Sequence, residues 1–425
     1  MLSLSARMNT AGARPQASAH SRFWPLPTAA SRLRARAARG LYVLINGWLA
    51  IIARLLWPRG RPASAASILI FRTGHIGDVT CALPAMRAVR EAYPRARITL
   101  LTSTGRVESP GALELLDGVD WIDEIDAYQS SEVESLRGIL AFAKRLRRRR
   151  FDLWVNLSGN LIQPLAELKY MMFAKLVGPR WARGWCIDSL PVFAQAQSEN
   201  HLFENEVERC LTIVRRFGFN PANIEFGLPR PDQVVARIDE LQAGLALDRF
   251  AVLAPGAKRS TNRWPAANFV EVGRNLRARG LKVVVLGGEA DRSQCMEIAR
   301  GTGVGAVSLA GELTLAESCE ILRRCLLVIC VDSGVQHLAS AVGTRCISLF
   351  SFWQMRGKWH PYGEWNIVLQ KRVPCHTCLL ETCPHQNRCM RLIQTHEVLY
   401  HVAGALADSS SGSRAGQRAE TRTAH

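Results

Sequence analysis

The stretch Ile68-Leu69-Ile70-Phe71-Arg72-Thr73-Gly74-His75-Ile76-Gly77-Asp78, followed directly by VTCALPAMRAVREAY (79–93), decides how this chain folds. Four consecutive apolar residues suit a strand buried on both faces, and the next segment repeats its apolar positions at three- and four-residue steps, as a helix does. Between them lies a glycine-bearing turn. Pro94 ends the helix, and ARITLLT (96–102) begins another strand. Strand, short turn and helix of these lengths, repeated, predict an α/β chain with parallel sheets covered by helices on both faces.

The unit recurs on either side of residue 230. WIDEIDA (121–127), a basic helix around 135–150 and FDLWVNLSG (151–159) continue the first series. The segment from Phe226 to Asp248, with Pro229, Pro231 and Gly244, reads as a crossing between domains that contains a helix. A second series follows: FAVLAP (250–255), a helix opened by Pro265 and closed by Gly280, KVVVLGG (282–288), a helix near 291–300, VSLAG (307–311), a helix over 314–324, LLVICVD (326–332), a helix over 334–342, and CISLF (346–350). Two open sheets facing a central cleft are the economical arrangement. The expected divisions are a basic arm (1–67), an N-terminal Rossmann-like domain (68–230), a C-terminal Rossmann-like domain (231–406) and a polar, disordered tail (407–425).

The 425 residues are 48% hydrophobic and 21% charged, which rules out a largely disordered chain, and the net charge is +18. Ten of the excess positives are arginines within residues 1–62, where there is no lysine and no acid; the first acidic residue is Asp78. The charge therefore belongs to an arm more than to the folded body, which weakens an inference of nucleic-acid binding. The Arg147–Arg150 run sits on a helix with an apolar opposite face, and no patch interleaves aromatic and basic residues as single-strand binders do. No nucleic-acid partner is expected.

Within the arm, LYVLINGWLAIIARLLW (41–57) is nearly all apolar, is flanked by arginines, and is interrupted by Arg54. It is short for the roughly 20 residues that a spanning helix needs. An interfacial helix fits it better, with Trp48 and Trp57 at headgroup depth and arginines on anionic lipid, and the plainer alternative is an extra helix packed on the body. Eight of the twelve cysteines are scattered through apolar segments as small core residues, a usage that suits a reducing cytoplasm. The expected location is cytoplasmic, with the arm offering a peripheral contact to the anionic inner-membrane surface.

Ligands of open parallel sheets bind at the carboxyl ends of strands, where helix N-termini offer free N–H groups. Three turns of the second half lie at such places. PGAKRSTNRWP (255–265) presents Lys258, Arg259 and Arg263 to neutralise a diphosphate and Ser260 and Thr261 to donate to it. LGGE (286–289) lets a ligand approach the backbone, and Glu289 can accept from ribose hydroxyls. In CVDSGVQHLASAVG (330–343), Asp332 ends a strand, Ser333 and Gly334 start a helix, and His337 shares the face of its first turn. Each has a plainer reading as a solvated loop, a tight turn or an N-cap, but three at successive strand ends of one sheet argue for a site. In the first half, Gly74, His75 and Gly77 form the corresponding turn, and Asp78 is either a helix cap or a general base for a hydroxyl nucleophile. No G-x-G-x-x-G or G-x-x-x-x-G-K-[ST] motif is present, which removes a dinucleotide-binding dehydrogenase and ordinary P-loop chemistry.

Taken together, ILIFRTGHIGDVTCALPAMRAVREAYPRARITLLT, LAPGAKRSTNRWP, LGGEADR, LAGELTLAESCEILRRCLLVICVDSGVQHLASAVGTRCISLF and CHTCLLETCPHQNRCMRLI resemble glycosyltransferase family 9, which contains the lipopolysaccharide heptosyltransferases. The resemblance spans roughly residues 68–400. It implies the two-domain GT-B fold, an acceptor on the N-terminal domain, a nucleotide-sugar donor on the C-terminal one, and inversion at the anomeric carbon without a metal or other required cofactor. By the same resemblance Asp78 is the base, Asp332, Ser333, Gly334 and His337 surround the donor's diphosphate and sugar, and Glu289 contacts the nucleoside. The implied donor is ADP-heptose and the implied acceptor a lipid-linked glycan. One position departs: Asn262 stands where the family carries a lysine, so diphosphate neutralisation is left to Arg263, Lys258 or Arg259.

Cys375, Cys378, Cys383 and Cys389 lie within fifteen residues. A Cys-x-x-Cys followed by two further cysteines can wrap one structural zinc ion, although the spacing is irregular; a disulfide or packed free thiols are the alternatives.

Overall fold

The computed structural model describes residues 29–103, 111–158, 164–187 and 201–410. Helix α1 (Ala29–Leu56) leads into β1 (Ser67–Phe71), the centre of a five-stranded parallel sheet. Helix α2 (Ile76–Ala92) connects β1 to β2 (Arg97–Ser103), and α3 (Ala112–Leu115) precedes β3 (Glu124–Tyr128). Then come α4 (Leu136–Arg147), β4 (Leu153–Asn156), α5 (Pro164–Val177) and β5 (Trp181–Arg183). The strand order is β3-β2-β1-β4-β5, with Ile68 in register with Ile98 on one side and Leu153 on the other. Ile68 to Phe71 are buried on both faces, as the unbroken apolar run requires of a central parallel strand.

Helix α6 (Glu206–Arg215) packs on α2 and closes the first domain. Helix α7 (Asp232–Leu245) opens the second, which continues through β6 (Phe250–Ala254), α8 (Ala266–Ala278), β7 (Lys282–Val285), α9 (Arg292–Thr302), β8 (Ala306–Ser308), α10 (Leu315–Arg324) and β9 (Val328–Val331). It ends with α11 (Gly334–Ala341), β10 (Cys346–Phe350), β11 (Ile367–Gln370), α12 (Arg388–Arg391) and α13 (Thr395–Ser410). The second sheet is also parallel, in the order β11-β10-β9-β6-β7-β8. Helix α13 carries ordered structure to Ser410, so the helix extends past residue 406; residues 411–425 of the expected disordered tail, and residues 1–28 of the arm, lie outside the described residues.

Three apolar clusters hold this together. One joins the two domains, running from Ile68 and Val79 through Cys210 and Leu211 to Leu322 and Leu338. A second fills the far side of the second sheet around Trp264, Phe269 and Val402. The third covers the outer face of the first sheet, where Leu69, Phe71 and Trp154 meet α4, α5 and α1. Burial of side chains of this size stabilises by about 1.5–3 kcal/mol each. Helix α1 of the arm is thus no separate extension: its Ala38 and Leu49, and Trp57 just beyond it, are buried in that third cluster. Strand order reverses between β1 and β4 in the first sheet and between β6 and β9 in the second. Crevices open at such reversals, and the turns after β1, β6 and β9 carry the residues singled out above except Glu289, which follows β7.

Candidate active site between the two sheets

The turn after β1 is tied down by Arg72, whose guanidinium is buried. Its Nε donates to the Asp78 carbonyl at 2.9 Å and its Nη1 to Leu157 O at 2.5 Å and Glu206 Oε1 at 2.8 Å. The Thr73 N–H donates to Ser158 Oγ at 2.9 Å. Gly74 has φ +130°, and a Cβ there would lie 2.5 Å from the Asp78 side chain, so only glycine fits. The His75 N–H donates to Asp78 Oδ2 at 2.8 Å. Asp78 therefore closes the first turn of α2, satisfying one of its unpaired backbone donors. Its side chain stays 27% exposed, and Arg72 Nη2 stands 3.7 Å from Oδ1.

Facing it, the 255–265 loop does not act as one cationic patch. Lys258 Nζ donates to His75 Nε2 at 2.6 Å, clasping the second domain to the first. The Arg259 guanidinium lies 3.9 Å from the centre of the Trp353 ring. Ser260 Oγ donates to the Glu381 carbonyl at 3.4 Å. Arg263 is turned away: its Nη1 donates to Gln294 Oε1 at 2.8 Å and its Nη2 to Asp291 Oδ1 at 3.0 Å. Its charge is already matched by Asp291, which leaves Lys258 and Arg259 as the cations of this loop on the cleft side. Glu289 is exposed and gripped by Arg292, whose Nη2 donates at 2.7 Å and whose hydrogen bonds lower the carboxyl pKa. The structure does not bring Glu289 or Arg263 to the Asp78 turn.

Asn262, in place of a lysine, organises the turn after β9. Its Nδ2 donates to Asp332 Oδ2 at 3.0 Å, while its Oδ1 accepts from Ser351 Oγ at 2.6 Å. Gln336 Nε2 donates to Asp332 Oδ1 at 3.0 Å. Enclosure of this carboxylate raises its pKa to about 6, against the lowering influence of Arg259 and of the two amide donors. Ser333 Oγ and Thr261 Oγ1 are buried hydroxyls without a hydrogen-bond partner among the described residues. Buried polar atoms of that kind lose their solvation unless something else pairs with them. Ser333 follows Asp332 at the N-terminus of α11, where free N–H groups favour an anion, and Thr261 precedes the Asn262 that is bonded to Asp332.

The N-termini of α2 and α11 approach each other across the cleft. Gly334 faces Ile76, at 3.6 Å from a Cβ on the glycine. His337 is wedged against Gly77 and Cys81, its Nδ1 3.4 Å from the Cys81 Sγ. Burial lowers the His337 pKa to about 4, partly opposed by Glu206, so the ring is neutral at pH 7. Sequence reading gave no role to Arg72, Glu206, Gln336 and Lys358, and saw Asn262 only as a missing charge. The four-residue step from Asp332 to Gln336 and the three-residue step from Glu206 to Arg209 were the local signals; Asn262 and Lys358 are partnered through distant residues, and Arg72 chiefly so.

The Cys375–Cys389 segment brings its thiols within electrostatic reach of one another but not into a metal-holding arrangement among the described residues. Among the described residues no group of three or more His, Cys, Asp or Glu side chains is placed to hold a metal ion. Left-handed backbone at Thr377, Leu379, Gln386 and Asn387 winds the segment tightly. Cys389 sits in α12, packed on the second apolar cluster, with backbone N–H groups of Phe352 and Met390 against its sulfur. All four are free thiols, and burial raises the pKa of Cys375 and Cys389.

The sequence profile of glycosyltransferase family 9 (heptosyltransferase) matches residues 139–388. The chain is 26% identical over 303 residues to lipopolysaccharide heptosyltransferase 3 of Escherichia coli, covering 69% of this chain and 84% of that protein. It is 24% identical over 335 residues to lipopolysaccharide heptosyltransferase 1 of Pseudomonas aeruginosa, covering 75% and 88%. Among solved structures, a family 9 glycosyltransferase from Veillonella parvula superimposes with a TM-score of 0.64 at 16% identity, over 82% of this chain and 99% of that one. An E. coli heptosyltransferase solved with ADP gives 0.57 at 16% identity, over 80% and 99%. These likenesses show the GT-B arrangement of two parallel sheets.

Proposed function

Because the chain belongs to glycosyltransferase family 9, we propose that it moves a heptose from ADP-heptose onto a hydroxyl of a lipopolysaccharide-core acceptor, with inversion at the anomeric carbon. That it is a glycosyltransferase follows from the family; the donor and acceptor are the proposal. The observation that carries it is the approach of the Asp78 turn to the N-terminus of α11, where the unpaired Ser333 hydroxyl follows Asp332 and the unpaired Thr261 hydroxyl adjoins the Asn262 that binds Asp332. The first supplies a base on the acceptor side. The second supplies donors for an oxygen-rich leaving group.

In this reading the acceptor oxygen attacks the anomeric carbon and its proton passes to Asp78. The bond from that carbon to the diphosphate breaks, and the nucleoside diphosphate departs with the electron pair. Lys258, Arg259 and the α11 N-terminus stabilise the charge that develops on it. Arg72 holds the turn so that Asp78 faces the cleft. The relatives' names support heptose and lipopolysaccharide, the ADP-bound relative supports adenosine, and twelve free thiols support a cytoplasmic location. Metal-independent transfer is read from the family resemblance.

A second reading, another nucleotide-sugar donor on the same fold, is favoured by one feature. Asn262 spends its amide on Asp332 and Ser351, so this position brings no charge to the diphosphate. Thermal melts with ADP-heptose, UDP-sugars and GDP-sugars separate the two, since a ligand at 100 times its Kd stabilises by about 2.7 kcal/mol. A shift with ADP-heptose alone is expected; a shift only with a UDP- or GDP-sugar would transfer the assignment to that donor.

A further inference from the structure

The second helix-lined face of the N-terminal domain is built unlike the cleft. Helices α1, α5 and α4 lie side by side over the same face of the first sheet, the face presented by Leu69, Phe71, Leu101 and Trp154. On α1 the docked positions are Tyr42, Ile45, Leu49, Ile52 and Leu56. The neighbouring flank, about 100° round the helix, carries Leu41, Leu44, Trp48, Ile51 and Leu55, spaced by three, four, three and four residues, so they form one stripe along the helix. That stripe faces solvent: Leu44 is 63%, Trp48 64% and Leu55 80% exposed. Leu165, Met172 and Leu176 on α5 and Leu136 and Leu140 on α4 are exposed in the same layer. Contiguous exposed apolar surface of this kind marks an interaction site.

The charge around it is mainly positive; exposed Glu132 and Glu134 stand just ahead of α4, and Arg145 is paired with Asp126 at 3.0 Å. Exposed Arg36, Arg39 and Arg54 flank the stripe on α1, Lys169 and Lys175 lie on α5, and Lys144, Arg145, Arg147 and Arg148 end α4. Residues 29–77 contain no acid, and the one acidic residue of α5, Glu167, is buried and accepts from Asn156 Nδ2 at 3.1 Å. We propose that this three-helix face docks in the plane of an anionic lipid bilayer, with the 41/44/48/51/55 stripe inserted at headgroup depth and the cations on lipid phosphates.

Two other occupants fit less well. Helix α1 is long and apolar enough over Arg36–Leu56 to cross a membrane. Its middle, however, is fastened to the body: Asn46 Nδ2 donates to Ile187 O at 3.2 Å and Asn46 Oδ1 accepts from Ile187 N at 2.9 Å. Trp57 stacks on Trp185 at 5.5 Å, and Lys175 Nζ donates to Leu56 O at 2.9 Å. A crossing helix would break these contacts or draw the domain into hydrocarbon. A second copy pairing α1 on α1 along the same stripe would set arginine against arginine, since residues 29–77 contain no acid. The inference is independent of which donor the cleft takes.

The test is sedimentation of the full-length protein with vesicles of phosphatidylcholine alone and of phosphatidylcholine with phosphatidylglycerol. Binding is expected with the anionic vesicles, weakened by salt and released by alkaline carbonate. Leu44→Glu combined with Trp48→Glu should lower the partition at least about tenfold with the melting temperature unchanged. Arg36→Gln with Arg54→Gln, which leaves the stripe intact, should lessen the preference for the anionic lipid. Equal partition of the Leu44/Trp48 variant, or of wild-type protein on the two vesicles, overturns the proposal. So does retention after carbonate, which means a span, or a lipid-free dimer that the Leu44/Trp48 variant converts to monomer in sedimentation velocity.

Discussion

Gly77 on α2 and His337 on α11 meet across the interdomain cleft so closely that a Cβ on Gly77 would lie 2.7 Å from His337 Cδ2. Gly77 has no left-handed backbone to protect, so its smallness serves this approach alone. Gly77→Val should therefore hold the two helix N-termini apart. Turnover is expected to fall at least about tenfold, in line with the cost of misplacing reacting groups by an ångström. The nucleotide-induced thermal shift should change little, because Asp332, Thr261 and Ser333 all lie on the second domain. Steady-state kinetics and melts on the same preparation check both.

Asp78→Asn separates the cap from the base. An amide oxygen still accepts from the His75 N–H, so α2 keeps its first turn and the protein its melting temperature. The proton acceptor is lost. Turnover should drop about 10²–10⁴-fold, the usual worth of a general base, with nucleotide-sugar binding retained. Wild-type turnover in this variant would remove Asp78 from the role of base.

Asp332 and His337 pull stability in opposite directions over one pH window. The Asp332 pKa rises from 3.8 to about 6, so the folded state takes up this proton first and stability is lost as the pH rises through about 6. The His337 pKa falls from 6.5 to about 4, so its contribution is present above 6.5 and lost as the pH falls toward 4. Each amounts to roughly 3 kcal/mol at most. Asp332→Asn should leave a protein that weakens steadily from pH 6.5 to 4, and His337→Gln one that strengthens over the same range. The wild type should be flatter than either, in denaturant titrations at closely spaced pH values.

Glu206 is the shared anion of a buried cluster. It accepts from Arg72 Nη1 at 2.8 Å and Arg209 Nη2 at 2.7 Å, and Lys358 Nζ of the second domain stands 3.0 Å away. These cations hold its carboxyl well below the usual range although burial acts the other way. Glu206→Gln leaves Arg209 and Lys358 without their counter-charge and Arg72 with Asp78 alone, and should destabilise by about 3–5 kcal/mol. Because Lys358 crosses the domain boundary, urea unfolding should also lose cooperativity between the two halves.

Much of this was legible in the residues themselves. The buried run Ile68–Phe71, the glycine at position 74 and the periodicity of 76–92 describe strand, turn and helix through neighbours a few positions apart. The same holds for the sheet of the second half and for Asp332 and Ser333 at the start of α11. Other expectations rested on local spacing where spacing does not decide. Arg263 lies in the right loop but is captured by Asp291, 28 positions on. Cys389 has a promising interval from Cys383, yet its helix turns it onto an apolar cluster.

The sequence by itself determined the two parallel α/β halves, the turns at their strand ends and the concentration of arginine in the arm, because hydrophobic period, glycine and charge act over short stretches of chain. Only the tertiary structure decided that Lys258 reaches His75, that Asn262 holds Asp332 and that α1 turns one apolar face to the body and the other to solvent. Those partners stand 183, 70 and more than 100 positions apart. Their meeting depends on how whole sheets and helices pack, and packing is settled by shape and burial summed over the domain rather than by any pattern within a segment.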